Sequence, residues 1–159
     1  MLAIETVTIA TPLGLAQISG NEDGIQSILL QNQGVESTEI PDTLVEVVQQ
    51  LNEYFEGTRT EFQLKLNPVG TEFQQKVWRE LLQIPFGKTL SYLQFTKLIG
   101  DPKAIRAVAS AIGKNPLWIV VPCHRVIGSD GSLTGYAGGL HRKQWLLNHE
   151  QPNKQHVLF

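Results

Sequence analysis

The stretch SYLQFTKLIGDPKAIRAVASAIGK, residues 91–114, carries two successive helix signatures separated by one tight turn. Ser91 and Gln94 have the Ser-x-x-Gln spacing of a capping box, in which hydroxyl and amide satisfy the first free backbone groups of a helix. That helix carries Phe95, Leu98 and Ile99 and closes at Gly100. Asp101 then offers a second N-cap with Pro102 at the first helical position, and Ile105, Val108 and Ile112 recur at intervals that face a core. Two helices joined by Gly-Asp-Pro predict a helix-turn-helix. The opposite face of the second helix presents Lys103, Arg106, Ser110 and Lys114, and Ala107, Ala109 and Ala111 keep its flank thin enough to lie close to a phosphate backbone. Two packed helices with a wet basic face satisfy the same pattern.

Upstream, Thr71 and Gln74 repeat the capping signal ahead of Phe73, Val77 and Leu81 on one stripe, with Trp78 and Leu82 beside it. This predicts a helix of about three turns that ends before Pro85. Asn67-Pro68-Val69-Gly70 marks a boundary, so the expected domains are residues 1–67 and 68–159. In the first, residues 6–9 and 15–18 alternate around Thr11-Pro12-Leu13-Gly14 as a β-hairpin, and residues 25–30 follow as a third strand. Leu44, Val47, Val48, Leu51 and Phe55 fit one helix face, and Phe62, Leu64 and Leu66 alternate again toward the sheet. Its one tyrosine, Tyr54, and its carboxylates read as solvated surface on a scaffold. The fold class expected is α+β: a small sheet with a helix, then a helical domain holding the helix-turn-helix.

The 159 residues are 42% hydrophobic and 18% charged, a composition that builds a packed core rather than a disordered chain. One cysteine forms neither an internal disulfide nor a multi-thiolate zinc site, and the opening MLAIETVTIA lacks a signal-peptide pattern; a reducing cytoplasm is expected. No apolar run approaches the roughly 18 residues a membrane span needs. The net charge of −2 conceals an asymmetry: two basic against ten acidic side chains in residues 1–67, eleven against five in residues 68–159. That split suits a polyanion partner for the second half, or simply two solvated surfaces of opposite sign.

The chemistry concentrates in residues 115–127, NPLWIVVPCHRVI, where Cys123 follows a stiff proline and precedes His124 and Arg125. A lone cysteine is usually an inert small core residue. Two adjacent nitrogen-bearing side chains favour the alternative, a nucleophile whose thiolate population is raised by a neighbouring base or positive charge. Adjacent side chains often point apart, so proton transfer between Cys123 and His124 calls for a bridging water.

Pro122-Cys123-His124-Arg125-Val126 resembles the active-site signature of the methylated-DNA–protein-cysteine methyltransferases, the O6-alkylguanine-DNA alkyltransferases. Tyr92, Arg106 within Asp101-Pro102-Lys103-Ala104-Ile105-Arg106-Ala107-Val108, Asn115-Pro116, Gly135-Tyr136-Ala137-Gly138-Gly139 and Trp145-Leu146-Leu147-Asn148-His149-Glu150 fall in the family's order and spacing. The resemblance covers residues 71–150 in detail. It implies a ribonuclease-H-like first domain without nuclease activity and a winged-helix-like second domain that binds the minor groove of double-stranded DNA and flips out an O6-alkylguanine.

By the same resemblance Cys123 accepts the alkyl group once and irreversibly. His124, oriented by Glu150, draws the thiol proton through a water; Tyr92 bonds the extruded base and Asn115 buttresses the site. Arg106 fills the vacated stack, with Lys103, Ala107, Ser110 and Lys114 along the DNA. Tyr136, Ala137 and Gly138 line the pocket, and Arg125 holds the loop through backbone contacts. O4-alkylthymine is a possible second substrate. Ala137 lacks the hydroxyl some members place there, which alters contact with the guanine edge. Residues 1–67 contain no Cys or His for the zinc that some relatives bind, and His141, His149 and His156 form no metal-like set, so no metal, no cofactor and a monomer are expected. Residues 151–154 read as a flexible tail. The rival readings are a non-catalytic lesion recogniser, which would lack the reactive cysteine, and a Cys-His hydrolase, for which no oxyanion motif exists.

Overall fold

Alternating residues at the start of the chain form an antiparallel meander of β1 (Glu5–Thr11), β2 (Gly14–Asn21) and β3 (Gly24–Gln31), in the order β1-β2-β3. A computed structural model of the chain describes residues 2–133 and 136–151. At the first turn Thr11 Oγ1 accepts from the Leu13 amide at 3.0 Å and donates to the Gly14 carbonyl at 2.8 Å, which sets the register. Val7, Ile18 and Ile28 then lie in one cross-strand row and Ile9, Ala16 and Leu30 in another, all buried. The 12-residue α1 (Val45–Glu56) buries Val47, Val48, Leu51 and Tyr54 and ends at Gly57, whose φ of 88° is a conformation glycine adopts without steric cost.

Both edges of this sheet are covered. Thr8 of β1 donates its N–H to Ser37 Oγ and accepts from the Ser37 amide, each at 2.9 Å. β3 is met by single parallel bridges, Leu66 at Ile25 and Leu117 at Ile28. The first compact unit therefore runs to Val69 but also takes in Pro116–Trp118 from late in the chain. Two expectations are corrected here. Phe62, Leu64 and Leu66 do not make a strand, because the backbone at Gln63 is held by a side chain: Gln50 accepts from the Gln63 amide at 2.9 Å and donates to its carbonyl at 3.1 Å. Tyr54 is core rather than surface, fully buried with its ring 5.5 Å from that of Phe62.

The second unit is built from α2 (Glu72–Leu81), β4 (Leu90–Ser91), α3 (Tyr92–Ile99), α4 (Ile105–Gly113), β5 (Val126–Ile127) and α5 (Leu140–His149). Both capping boxes form, at Thr71/Gln74 and Ser91/Gln94. Asp101 caps a 3-10 turn, Pro102–Ala104, that leads into α4. Val77, Trp78, Leu81, Phe95, Val108, Ile112 and Leu146 make the core, and Trp78 Nε1 donates to the Ala111 carbonyl at 2.9 Å, tying α2 to α4. A Cβ at Gly70 would stand 2.4 Å from that indole, so only glycine fits there. Phe73, Leu82 and Leu98, at the margins of their stripes, are exposed. The observed class is α+β, and no described helix is long and apolar enough to cross a membrane.

Candidate active site

Cys123, His124 and Arg125 occupy one 3-10 turn that precedes β5. The turn is aimed by Pro122, whose φ −81° and ψ 64° are those of an inverse γ-turn, with the Cys123 amide donating to the Val121 carbonyl at 2.8 Å. Just upstream, Ile119 is the one described non-glycine residue with positive φ, 76°, and it is buried. A β-branched residue in that region stores roughly 1–3 kcal/mol of strain, held by the packing around it. Asn115, also buried, donates from Nδ2 to the Val121 carbonyl at 2.9 Å and so closes the excursion of residues 116–121.

His124 and Glu150, 26 residues apart, meet at 2.8 Å between Nε2 and Oε2 with both side chains almost wholly buried. Arg125 grips the same carboxylate with two bonds, Nε to Oε1 at 2.7 Å and Nη2 to Oε2 at 2.9 Å, and donates from Nη1 to the Ile84 carbonyl at 2.6 Å. The expected backbone contact of Arg125 is present, and the carboxylate grip is additional. Burial pushes the Glu150 carboxyl up, but the charge that His124 takes on once it is protonated in acid, together with the hydrogen bonds of His124 and Arg125 and the Arg125 charge, outweighs it and holds the group at about 2. Burial lowers His124 more than Glu150 raises it, so the imidazole is neutral near pH 7. An anionic partner at Nε2 places the proton there and leaves the Nδ1 lone pair, which makes no hydrogen bond to the described residues, as the basic site.

Burial pushes the Cys123 thiol up to about 11, against the pull of a hydrogen bond from Asn115 and the charge of Lys143. At neutral pH the resting residue is thus a thiol, which corrects the expectation of a thiolate raised by its neighbours: those neighbours are buried with it, and desolvation wins. Lys143 is the residue sequence reading missed. It is 1% exposed, donates from Nζ to the Val126 carbonyl at 2.7 Å, and lies 5.8 Å from the centre of the Tyr92 ring. A lysine on α5 looks like surface; only its bond to the Val126 carbonyl and its charge interaction with Cys123 reveal it.

Of the other expected site residues, Tyr92 opens α3 half-buried, while Tyr136 and Gly138 are buried and Ala137 exposed. Gly135 lies outside the described residues, as do His156 and most of the expected tail. Lys103, Arg106, Ala107, Ser110 and Lys114 are all exposed along the turn before α4, α4 itself and its end. His141 is exposed, and His149 stacks on Trp145 at the end of α5. No three metal-binding side chains cluster among the described residues.

Together these features define a class: a helix-turn-helix domain with exposed basic residues on α4 and at both its ends, and a buried cysteine followed directly in the chain by a histidine that is paired with a carboxylate. Residues 72–152 match the 6-O-methylguanine DNA methyltransferase, DNA binding domain, and residues 5–68 match the ribonuclease-like domain of the same family. The chain is 47% identical over 149 residues to a methylated-DNA–protein-cysteine methyltransferase of Mycolicibacterium paratuberculosis, covering 91% of this chain and 90% of that protein. It is 44% identical over 152 residues to the Methanosarcina barkeri protein of the same name, covering 91% and 96%. The crystal structure of Mycobacterium tuberculosis O6-methylguanine methyltransferase superposes with a TM-score of 0.84 at 41% identity, covering 99% of this chain and 100% of that one. That of Mycobacterium tuberculosis OGT in complex with DNA gives 0.81 at 45% identity, covering 91% of each chain. The protein belongs to the methylated-DNA–protein-cysteine methyltransferase family, enzymes of DNA alkylation repair.

Proposed function

We propose that the protein removes the alkyl group from O6-alkylguanine in double-stranded DNA by a single, irreversible transfer to Cys123, acting as a monomer without metal or cofactor. The observation that carries this reading is the buried cysteine beside a neutral imidazole whose far nitrogen is held by an anionic carboxylate. A thiol at about 11 is a poor nucleophile at neutral pH, so it must lose its proton as it attacks. The thiol proton passes through a water to His124 Nδ1, and Glu150 stabilises the imidazolium that results. Sγ forms a bond to the alkyl carbon while the bond from that carbon to O6 breaks, and the pair of electrons stays on the purine. Tyr92 hydrogen-bonds the departing purine, which takes up a proton to become guanine. The product thioether is not readily hydrolysed, so each molecule acts once.

Chemistry at a base atom requires the nucleotide to leave the duplex. Arg106 enters the stack it vacates, Ala107 and Ser110 line the groove, and Lys103 and Lys114 contact phosphates. Tyr136, Ala137 and Gly138 shape the base pocket, and Asn115 holds the loop and the thiolate. The transfer is tested by mass spectrometry after incubation with duplex DNA containing O6-methylguanine. One added methylene on the Cys123 peptide, at most one per protein and absent from Cys123→Ala, is expected. Lesion binding without that gain would overturn the transfer and leave a recogniser. Arg106→Ala should slow repair of duplex more than attack on the free base; equal slowing removes that role.

A further inference from the structure

Each nitrogen of the Arg125 guanidinium makes a hydrogen bond along its edge, to Glu150 or to the Ile84 carbonyl, and its flat faces are positioned by packing. Its central carbon Cζ lies over the Phe86 ring, 5.9 Å from the ring centre and within cation–π range. Phe86 meets His149 edge-on, centroids 6.5 Å apart at 79°, and His149 stacks on Trp145, one helical turn earlier on α5, at 4.8 Å and 18°. These contacts close on themselves. Phe86 lies two residues from the carbonyl that receives Arg125, in a turn fixed by the Lys88 amide donating to the Pro85 carbonyl at 3.1 Å, and His149 directly precedes Glu150. Both ends of the Arg125–Glu150 pair are thus joined through the rings.

We infer that the ladder Trp145–His149–Phe86 is a positioning device: it seats the Arg125 guanidinium so that Glu150 is held against His124. Phe86 faces the guanidinium and acts through Arg125. Glu150 Oε2 is shared by Arg125 Nη2 at 2.9 Å and His124 Nε2 at 2.8 Å, so a tilt of the guanidinium moves the oxygen that orients the imidazole. The inference rests on the alkyl-transfer reading above, because the relay is what the ladder positions.

The test compares wild type, Phe86→Leu, Phe86→Tyr, Arg125→Lys and the Phe86→Leu/Arg125→Lys double variant. Single-turnover transfer from an O6-methylguanine duplex is followed across pH, together with duplex affinity and the carbon-13 titration of the Glu150 carboxyl. Phe86→Leu should slow transfer by about three- to tenfold, the range set by losing one partly exposed cation–π contact, at unchanged duplex affinity. It should also move the Glu150 titration upward. Phe86→Tyr should restore both, and in the Arg125→Lys background the leucine should cost less than about twofold, as expected when two residues act through one another. A wild-type rate in Phe86→Leu, a loss that tyrosine does not restore, or full additivity with Arg125→Lys overturns the proposal. Should leucine at 86 unfold the chain, His149→Leu breaks the ladder one rung away, and the same slowing and carboxyl shift are required of it. If wild type itself transfers nothing, the alkyl-transfer reading fails, and the Glu150 titration alone then decides whether the ladder seats the carboxylate.

Discussion

Replacing Glu150 by glutamine keeps the shape of the side chain and removes the charge on which three hydrogen bonds converge. A carboxyl held at about 2 instead of its usual 4.5 contributes at most about 3 kcal/mol to stability at neutral pH, where His124 is uncharged and Arg125 supplies the opposite charge. The substitution also leaves the Arg125 guanidinium buried with neutral carbonyl acceptors and no anionic partner, and breaking a buried pair in this way costs roughly 3–5 kcal/mol. The expected loss for E150Q at pH 7 is therefore about 3–5 kcal/mol, a fall in melting temperature on the order of 10 °C. The pH dependence follows from the direction of the shift. The folded-state value is depressed, so the contribution is complete above the ordinary carboxylate range and is lost as pH falls toward the folded value. Between pH 7 and pH 3 the gap between wild type and variant should narrow by about 2 kcal/mol. Urea unfolding at both pH values, followed by tryptophan fluorescence, measures it, since Trp78 and Trp145 report on the second unit. A gap below about 1 kcal/mol at pH 7, or one that does not narrow at pH 3, refutes the reasoning.

Other consequences are as direct. Labelling of Cys123 by iodoacetamide should rise about tenfold per pH unit from neutrality without a plateau until near 11, and a plateau near pH 8 contradicts a desolvated thiol. Lys143→Met should slow labelling at fixed pH, because the removed ammonium favours the thiolate; faster labelling would reverse the sign argued for it. Thr71→Ala breaks the capping box of α2 and should cost about 1 kcal/mol in urea unfolding, with an unchanged midpoint counting against the cap's contribution. Gly70→Ala forces a Cβ to 2.4 Å from the immobile Trp78 indole and should cost about 1–3 kcal/mol; a neutral result would mean that the indole can move.

Much of the second unit was legible because its signals are local. A capping box needs two side chains three residues apart, so Thr71/Gln74 and Ser91/Gln94 announce α2 and α3 without reference to anything distant. Arg106 and Ser110 lie exposed on α4 as helical period requires, while Lys103 stands in the 3-10 turn before it and Lys114 at its end. Alternation at Phe62, Leu64 and Leu66 does not decide the structure there, for the converse reason. It records a half-buried face, but a strand also needs a neighbour to pair with, and Gln50 occupies that place at Gln63. The burial of Tyr54 is not legible in its own segment because it depends on which rings meet it.

By itself the sequence determined where α2 and α3 begin, which residue type can act as nucleophile, and which histidine stands beside it, since each is a matter of composition and short spacing. Only the tertiary structure decided the state of those groups. Glu150 reaches His124 and Arg125 across about 25 residues of chain, Lys143 turns inward to the Val126 carbonyl, and Pro116–Trp118 joins the sheet of the first unit. Whether Cys123 rests as thiol or thiolate depends on how much water is excluded around it and which charges share that space. Desolvation and charge act through distance in three dimensions, and chain order does not encode that distance until the protein is folded.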